Sequence, residues 1–208
     1  MSWLWLECGV LFVALPLALA MVGFGPWMFL ILLGAAFAAG WWLHAHRLAG
    51  ERLFWAGDEP SAERRQVRRL LVRFLICAPL LTGTVAIFWA DRFLFLPRER
   101  PLLWLLILLL YPILSVYPQE LLYRAFFFRR YGRLFPAKIG VIVASVLLFS
   151  WLHLLFRNPV AVSLTLVGGW FFAETYARTR SLRLVCLEHL LYGNLIFTIG
   201  LGKFFFHG

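Results

Sequence analysis

Seven stretches of this 208-residue chain are almost purely apolar, at approximately 3–23, 27–44, 70–89, 102–117, 139–156, 160–177 and 184–201. Each is close to the length a helix needs to cross a bilayer. The pattern predicts an all-α, polytopic transmembrane helix bundle of about seven spans. A Gly-Phe-Gly-Pro break at 23–26 reads as a tight hairpin between the first two spans. Pro112 and Pro118 are expected to interrupt or bend the fourth span, with a polar-studded helical segment running on from Pro118 to about Tyr131. The first run has no basic residues ahead of it and carries Glu7 and Pro16, which does not fit a cleaved signal peptide. The whole of 1–208 reads as one integral membrane domain without internal repeats. Residues 1–100 supply accessory spans and a basic connection, and 101–201 the polar, chemistry-bearing core.

Composition agrees with a membrane protein and removes several classes of function. Apolar residues make up 62% and charged residues 14%, against roughly 45–50% and 25% in soluble domains. Mean hydropathy is +0.83. A water-soluble enzyme, a disordered tail and a disulfide-stapled secreted domain are excluded. Cys8, Cys77 and Cys186 lie singly inside apolar runs and read as small buried side chains.

The net charge of +10 sits almost entirely between the apolar runs. One side of a seven-span threading collects Arg47, Arg52, Arg64, Arg65, Arg68, Arg69, Arg73, Arg124, Arg129, Arg130, Arg133, Lys138, Arg178, Arg180 and Arg183. The other side holds Arg92, Arg98, Arg100, Arg157 and Lys203. That bias places the amino terminus and the basic connections in the cytoplasm, with the chain a multi-pass protein of a cell inner membrane. No soluble basic face remains for nucleic acid, so the partners expected are membrane lipid and a membrane-associated peptide or protein. Pro60 and Ser61 mark the start of a basic helix over 62–74, read as an anchor for lipid headgroups, with Ser61 as its N-cap.

An ionisable side chain inside a bilayer costs a few kcal/mol or more, so each one asks for a reason. Glu7, Glu120, Arg124, His153, Glu174, Glu188 and His189, with the amides Gln119 and Asn194, are the candidates. Glu120 and Arg124 stand four apart and share a helix face, which allows a carboxylate–guanidinium pair. Glu174 and Arg178 have the same spacing, Glu188 has Tyr192 one turn on, and Glu7 has no partner in view. One carboxylate, two imidazoles and an amide on three helices are the ingredients for activating water inside a membrane, where hydrolysis needs a base and donors for the oxyanion. Depth is a strain on this grouping. His153 lies roughly 22 Å along its helix from Lys138 and His189 roughly 9 Å from Arg183. Ser150, Thr165 and Thr175 do not form a serine-type nucleophile set.

Gln119-Glu120-Leu121-Leu122-Tyr123-Arg124, Phe149-Ser150-Trp151-Leu152-His153, and His189 with Asn194 resemble three motifs of the CAAX prenyl protease type II family, also called CPBP or Abi. The family patterns are Glu-Glu-x-x-x-Arg, Phe-x-x-x-His and His-x-x-x-Asn on successive helices. The resemblance covers about 101–201. It implies an endopeptidase acting near the cytoplasmic face without a tightly held metal; because the family's usual base position is Gln119 here, Glu120 is expected to take over as base, with Arg124 orienting it and His153, His189 and Asn194 as oxyanion donors. A zinc site of Glu120, His153 and His189 is the variant these residue types also suit. The chain departs from the pattern twice. Gln119 replaces the first Glu and cannot take a proton from water, and the Asn position holds Gly193, with Asn194 one residue late. A non-catalytic relative that binds a membrane partner or hydrophobic chain is the second reading, and a small proton-coupled transporter the third.

Overall fold

The computed structural model describes residues 1–22, 27–46 and 60–205. The hairpin expected at 23–26, most of the connection that carries Arg47 and Arg52, and the side chain of Ser61 lie outside the described residues. Among those described there is no strand, and seven helices are long and apolar enough to cross a membrane. They are α1 Ser2–Met21, α2 Trp27–Ala45, α3 Glu63–Phe88, α4 Pro101–Leu134, α5 Lys138–Phe156, α6 Pro159–Thr179 and α7 Leu182–Ile199. Outward positions such as Leu75, Ile76, Leu80, Ile87 and Phe88 are exposed, as they are when the solvent is hydrocarbon.

The prolines interrupt the regular α-helix of the fourth span, as expected, without ending the helical stretch. α4 runs on for 34 residues through Pro112 and Pro118. It absorbs them by widening into π turns at Pro112–Val116 and Leu121–Phe126. A π turn takes up the carbonyl that proline leaves without a donor, so the helix continues at altered pitch. At about 1.5 Å per residue, α4 is some 51 Å long, well beyond the roughly 30 Å hydrocarbon layer. The second widened turn is tied to α5, where the buried Ser145 hydroxyl donates to the Tyr123 carbonyl (2.8 Å).

The remaining breaks have local causes. α5 tightens into a 3-10 turn at His153–Phe156, and Arg157 adopts left-handed φ of 52°. Asn158 then caps α6, accepting from the Ala161 N–H (2.8 Å), with Pro159 at the first helical position. Ser181 caps α7 in the same way, accepting from Leu184 N–H (3.3 Å). Gly200 ends α7 with φ of 103°, against the Arg92 carbonyl, where a Cβ would collide.

α5 lies against α6, α6 against α7, α3 and α4 against α7, α2 against α4, and α1 against α5. An aromatic core runs through the middle, with Phe12 of α1 meeting Tyr123 and Phe127 of α4 edge-on (5.2 and 5.4 Å). Near the basic ends, three ionic clusters tie the helices together. Glu7 pairs with Arg130 (2.9 and 2.6 Å) and accepts from the Tyr131 hydroxyl (2.8 Å), which supplies the partner that sequence did not reveal. Arg183 pairs with Glu63. Arg73 reaches across from α3 to Glu174 (2.8 Å), Thr175 (3.0 Å) and the fully buried Glu188. Arg64, Arg65, Arg68 and Arg69 are exposed, as headgroup anchors should be. Arg73 is instead a structural clamp. Glu174 also makes the expected pair with Arg178 (2.9 Å).

Candidate active site

α4, α5, α6 and α7 meet around a cavity of about 490 Å³ whose walls are mostly Leu, Ile and Phe. Its polar lining comes from Thr84 of α3, Tyr111, Ser115 and Gln119 of α4, His153 of α5, Thr165 of α6, and His189 and Tyr192 of α7. Tyr111, Ser115 and Gln119 are spaced by four and present one polar stripe. The lining continues to Leu19 and Met28 at the α1–α2 end and to Phe205 beyond α7. The hollow therefore runs from the middle of the bundle, at His189 and Phe172, toward the end remote from the basic connections.

His189 is the best-supported polar group of the site. Its Nδ1–H donates to Glu120 Oε1 at 2.7 Å, and its ring stacks on Phe172 at 4.5 Å. Behind it, Arg124 Nε lies 3.1 Å from Glu120 Oε2, with both side chains completely buried. The Arg124 guanidinium donates to the Gly169 carbonyl (3.2 Å) and lies over the rings of Phe149 (4.4 Å) and Phe172 (5.7 Å). Its charge is thus met by one carboxylate, one carbonyl and two π faces, a suitable neutralisation for a wholly desolvated cation. Glu120 and Arg124 belong to the end of one α-helical turn and to the widened turn after it.

His153 spends its Nδ1–H on the Phe149 carbonyl at 2.7 Å, which leaves Nε2 as the acceptor of that ring on the cavity wall. Phe149 touches both imidazoles, 4.7 Å from His153 and 5.8 Å from His189. Both imidazoles line the same cavity, although a straight-helix count separated them in depth.

Gln119 faces the cavity. Its amide N–H donates to Ser115 Oγ (2.7 Å), while its Oε1 is buried without a hydrogen-bond partner in the protein. Ser150 turns away to the Val162 carbonyl (3.0 Å).

Two placements differ from expectation. Glu120 is fully buried and does not line the cavity, so it stands behind His189 and not in front of the water as a base. Asn194 does not line the cavity either. α7 is a regular α-helix with no bulge, so residue 194 is turned about 100° from Gly193. Its Oδ1 is buried without a partner. What fills the place beside Gly193 is Tyr111, whose hydroxyl lies 3.0 Å from His189 Nε2. Tyr111 escaped sequence reading because its side chain was not among the ionisable and amide groups whose burial in a bilayer asks for a reason. The i, i+4, i+8 run of Tyr111, Ser115 and Gln119 was the signal that pointed to it. Among the described residues no group of three or more His, Cys, Asp or Glu could hold a metal ion. Glu120 Oε1 accepts from His189, and Oε2 faces the Arg124 guanidinium.

Residues 101–195 match the family model of the type II CAAX prenyl endopeptidases, Rce1-like. No curated protein and no solved structure matches the chain. The matched stretch contains all of α4, α5 and α6 and most of α7, including Glu120, Arg124, His153 and His189, so this part of the chain is similar to the CAAX protease (CPBP) family.

Proposed function

We propose that this chain is an intramembrane endopeptidase that hydrolyses a peptide bond of a membrane-associated substrate, with His189 as the group that receives the proton of water. The observation that carries this reading is the buried Glu120–His189 hydrogen bond of 2.7 Å at the wall of a cavity that also holds His153. A carboxylate behind Nδ1 fixes the tautomer and stabilises the imidazolium formed when the other nitrogen takes a proton. Arg124 fixes Glu120 in turn. His153 Nε2 and Gln119 Oε1 are acceptors that hold water against the scissile carbonyl. Glu120 and Arg124 are positioning residues; the two imidazoles reach the cavity. The chemistry needs no metal, and the chain lies in a cell inner membrane with its amino terminus in the cytoplasm. The family name, type II CAAX prenyl endopeptidase, points to a carboxy-terminal peptide carried on a lipid-modified cysteine.

The test is the purified protein in proteoliposomes with a library of peptides anchored by prenylated or acylated cysteine, products read by mass spectrometry. Wild type should cleave, EDTA should change nothing, and His189→Ala should lower the rate by about 100-fold or more. The second reading is a binder of hydrophobic chains, favoured by Gln119 where the family has Glu and by the apolar walls. Retention of a lipidated peptide with no cleavage by wild type would replace the peptidase reading with that one.

A further inference from the structure

A Cβ built on Gly193 would lie inside the Tyr111 ring. The ring therefore seats against the α7 backbone because residue 193 has no side chain, and Phe197 holds its other edge (5.2 Å). This seat places the Tyr111 hydroxyl 3.0 Å from His189 Nε2, on the cavity wall. With Nδ1–H committed to Glu120, the neutral imidazole has its lone pair at Nε2 and accepts the tyrosine O–H. Hydroxyl, imidazole and carboxylate thus form one line from the cavity to the buried Arg124.

We propose that Tyr111 is a catalytic residue of this site: its hydroxyl relays the proton of the attacking water to His189, and Gly193 is the residue that seats it. The proposal rests on the peptidase reading above. In the step, an O–H bond of water breaks and its proton goes to the Tyr111 oxygen, while the tyrosine's own proton passes to His189 Nε2. The water oxygen bonds to the carbonyl carbon, and the carbonyl π pair moves onto oxygen. Tyrosine ends neutral, and the imidazolium rests against the Glu120 carboxylate. When the intermediate collapses, the oxygen pair returns, the C–N bond breaks, and the proton travels back through Tyr111 to the leaving nitrogen. Water is the only co-reactant.

Tyr111→Phe keeps the ring in its seat and removes only the hydroxyl. The expected result is a kcat about 100-fold lower with KM changed less than about threefold. In mixed H₂O/D₂O, wild type should show the curved proton inventory of two protons moving together, and Tyr111→Phe a linear one. Gly193→Ala should cost wild type a similar factor through displacement of the ring, yet add little in the Tyr111→Phe background, a non-additive cycle. Cleavage by wild type with Tyr111→Phe equally active, or with full additivity in the cycle, overturns the relay alone. A wild type that cleaves no lipidated peptide overturns the peptidase reading itself and the relay with it.

Discussion

Glu120→Gln removes one charge from a site where every neighbour was arranged around it. Glu120 and Arg124 are both completely buried, 3.1 Å apart. At an effective dielectric of about 20 their attraction is about 5 kcal/mol. The variant leaves Arg124 with the Gly169 carbonyl and two ring faces only, and a buried charge stripped of its partner typically costs about 3–5 kcal/mol of stability. It also takes the anion from behind His189 Nδ1, so kcat should fall by about 100- to 10,000-fold. The two effects separate in a double variant. Glu120→Gln with Arg124→Met places a neutral pair of similar volume in the same space and should return most of the lost stability, while activity stays low because His189 still lacks its carboxylate. The assays are thermal or denaturant unfolding in detergent and peptide cleavage in proteoliposomes. A single Glu120→Gln variant with wild-type stability and wild-type kcat would refute both the pairing and its role. Recovery of activity in the double variant would show that Glu120 acts only by neutralising Arg124.

Gln119→Glu puts a carboxylate on the cavity wall with the Ser115 hydroxyl positioned to donate to it, and cleavage should rise by about tenfold or more, measured as kcat. Asn194→Ala should leave kcat and KM as they are, because the side chain lies outside the cavity lining; a large loss would place it at the reacting atoms after all. Glu7→Gln, far from the cavity, should cost about 1–3 kcal/mol of stability by weakening its bonds to Arg130 and Tyr131, with unchanged kcat.

Much of this was legible in the order of residues, for reasons that operate locally. A run of twenty apolar residues has few options other than spanning a bilayer. The pairing of Glu120 with Arg124 and of Glu174 with Arg178 follows from helical spacing alone. Contacts between distant spans were out of reach. Glu7 with Arg130, and Arg73 with Glu188, join residues 123 and 115 positions apart, and no local pattern marks such partners. Proline marked the irregularity in α4, but sequence records the missing N–H and not the widened turn that carries the helix past it.

The division between the two kinds of information is sharpest at the site. The chain's order alone determined a helical membrane protein and a small set of ionisable residues too expensive to be accidental, because burial energies are charged residue by residue. Tertiary structure decided which of them share a cavity. It put Glu120 behind His189, kept Asn194 outside, and brought in Tyr111 through the space left by Gly193, because widened turns and the contacts between spans set where each side chain ends, and these emerge only when the spans pack together.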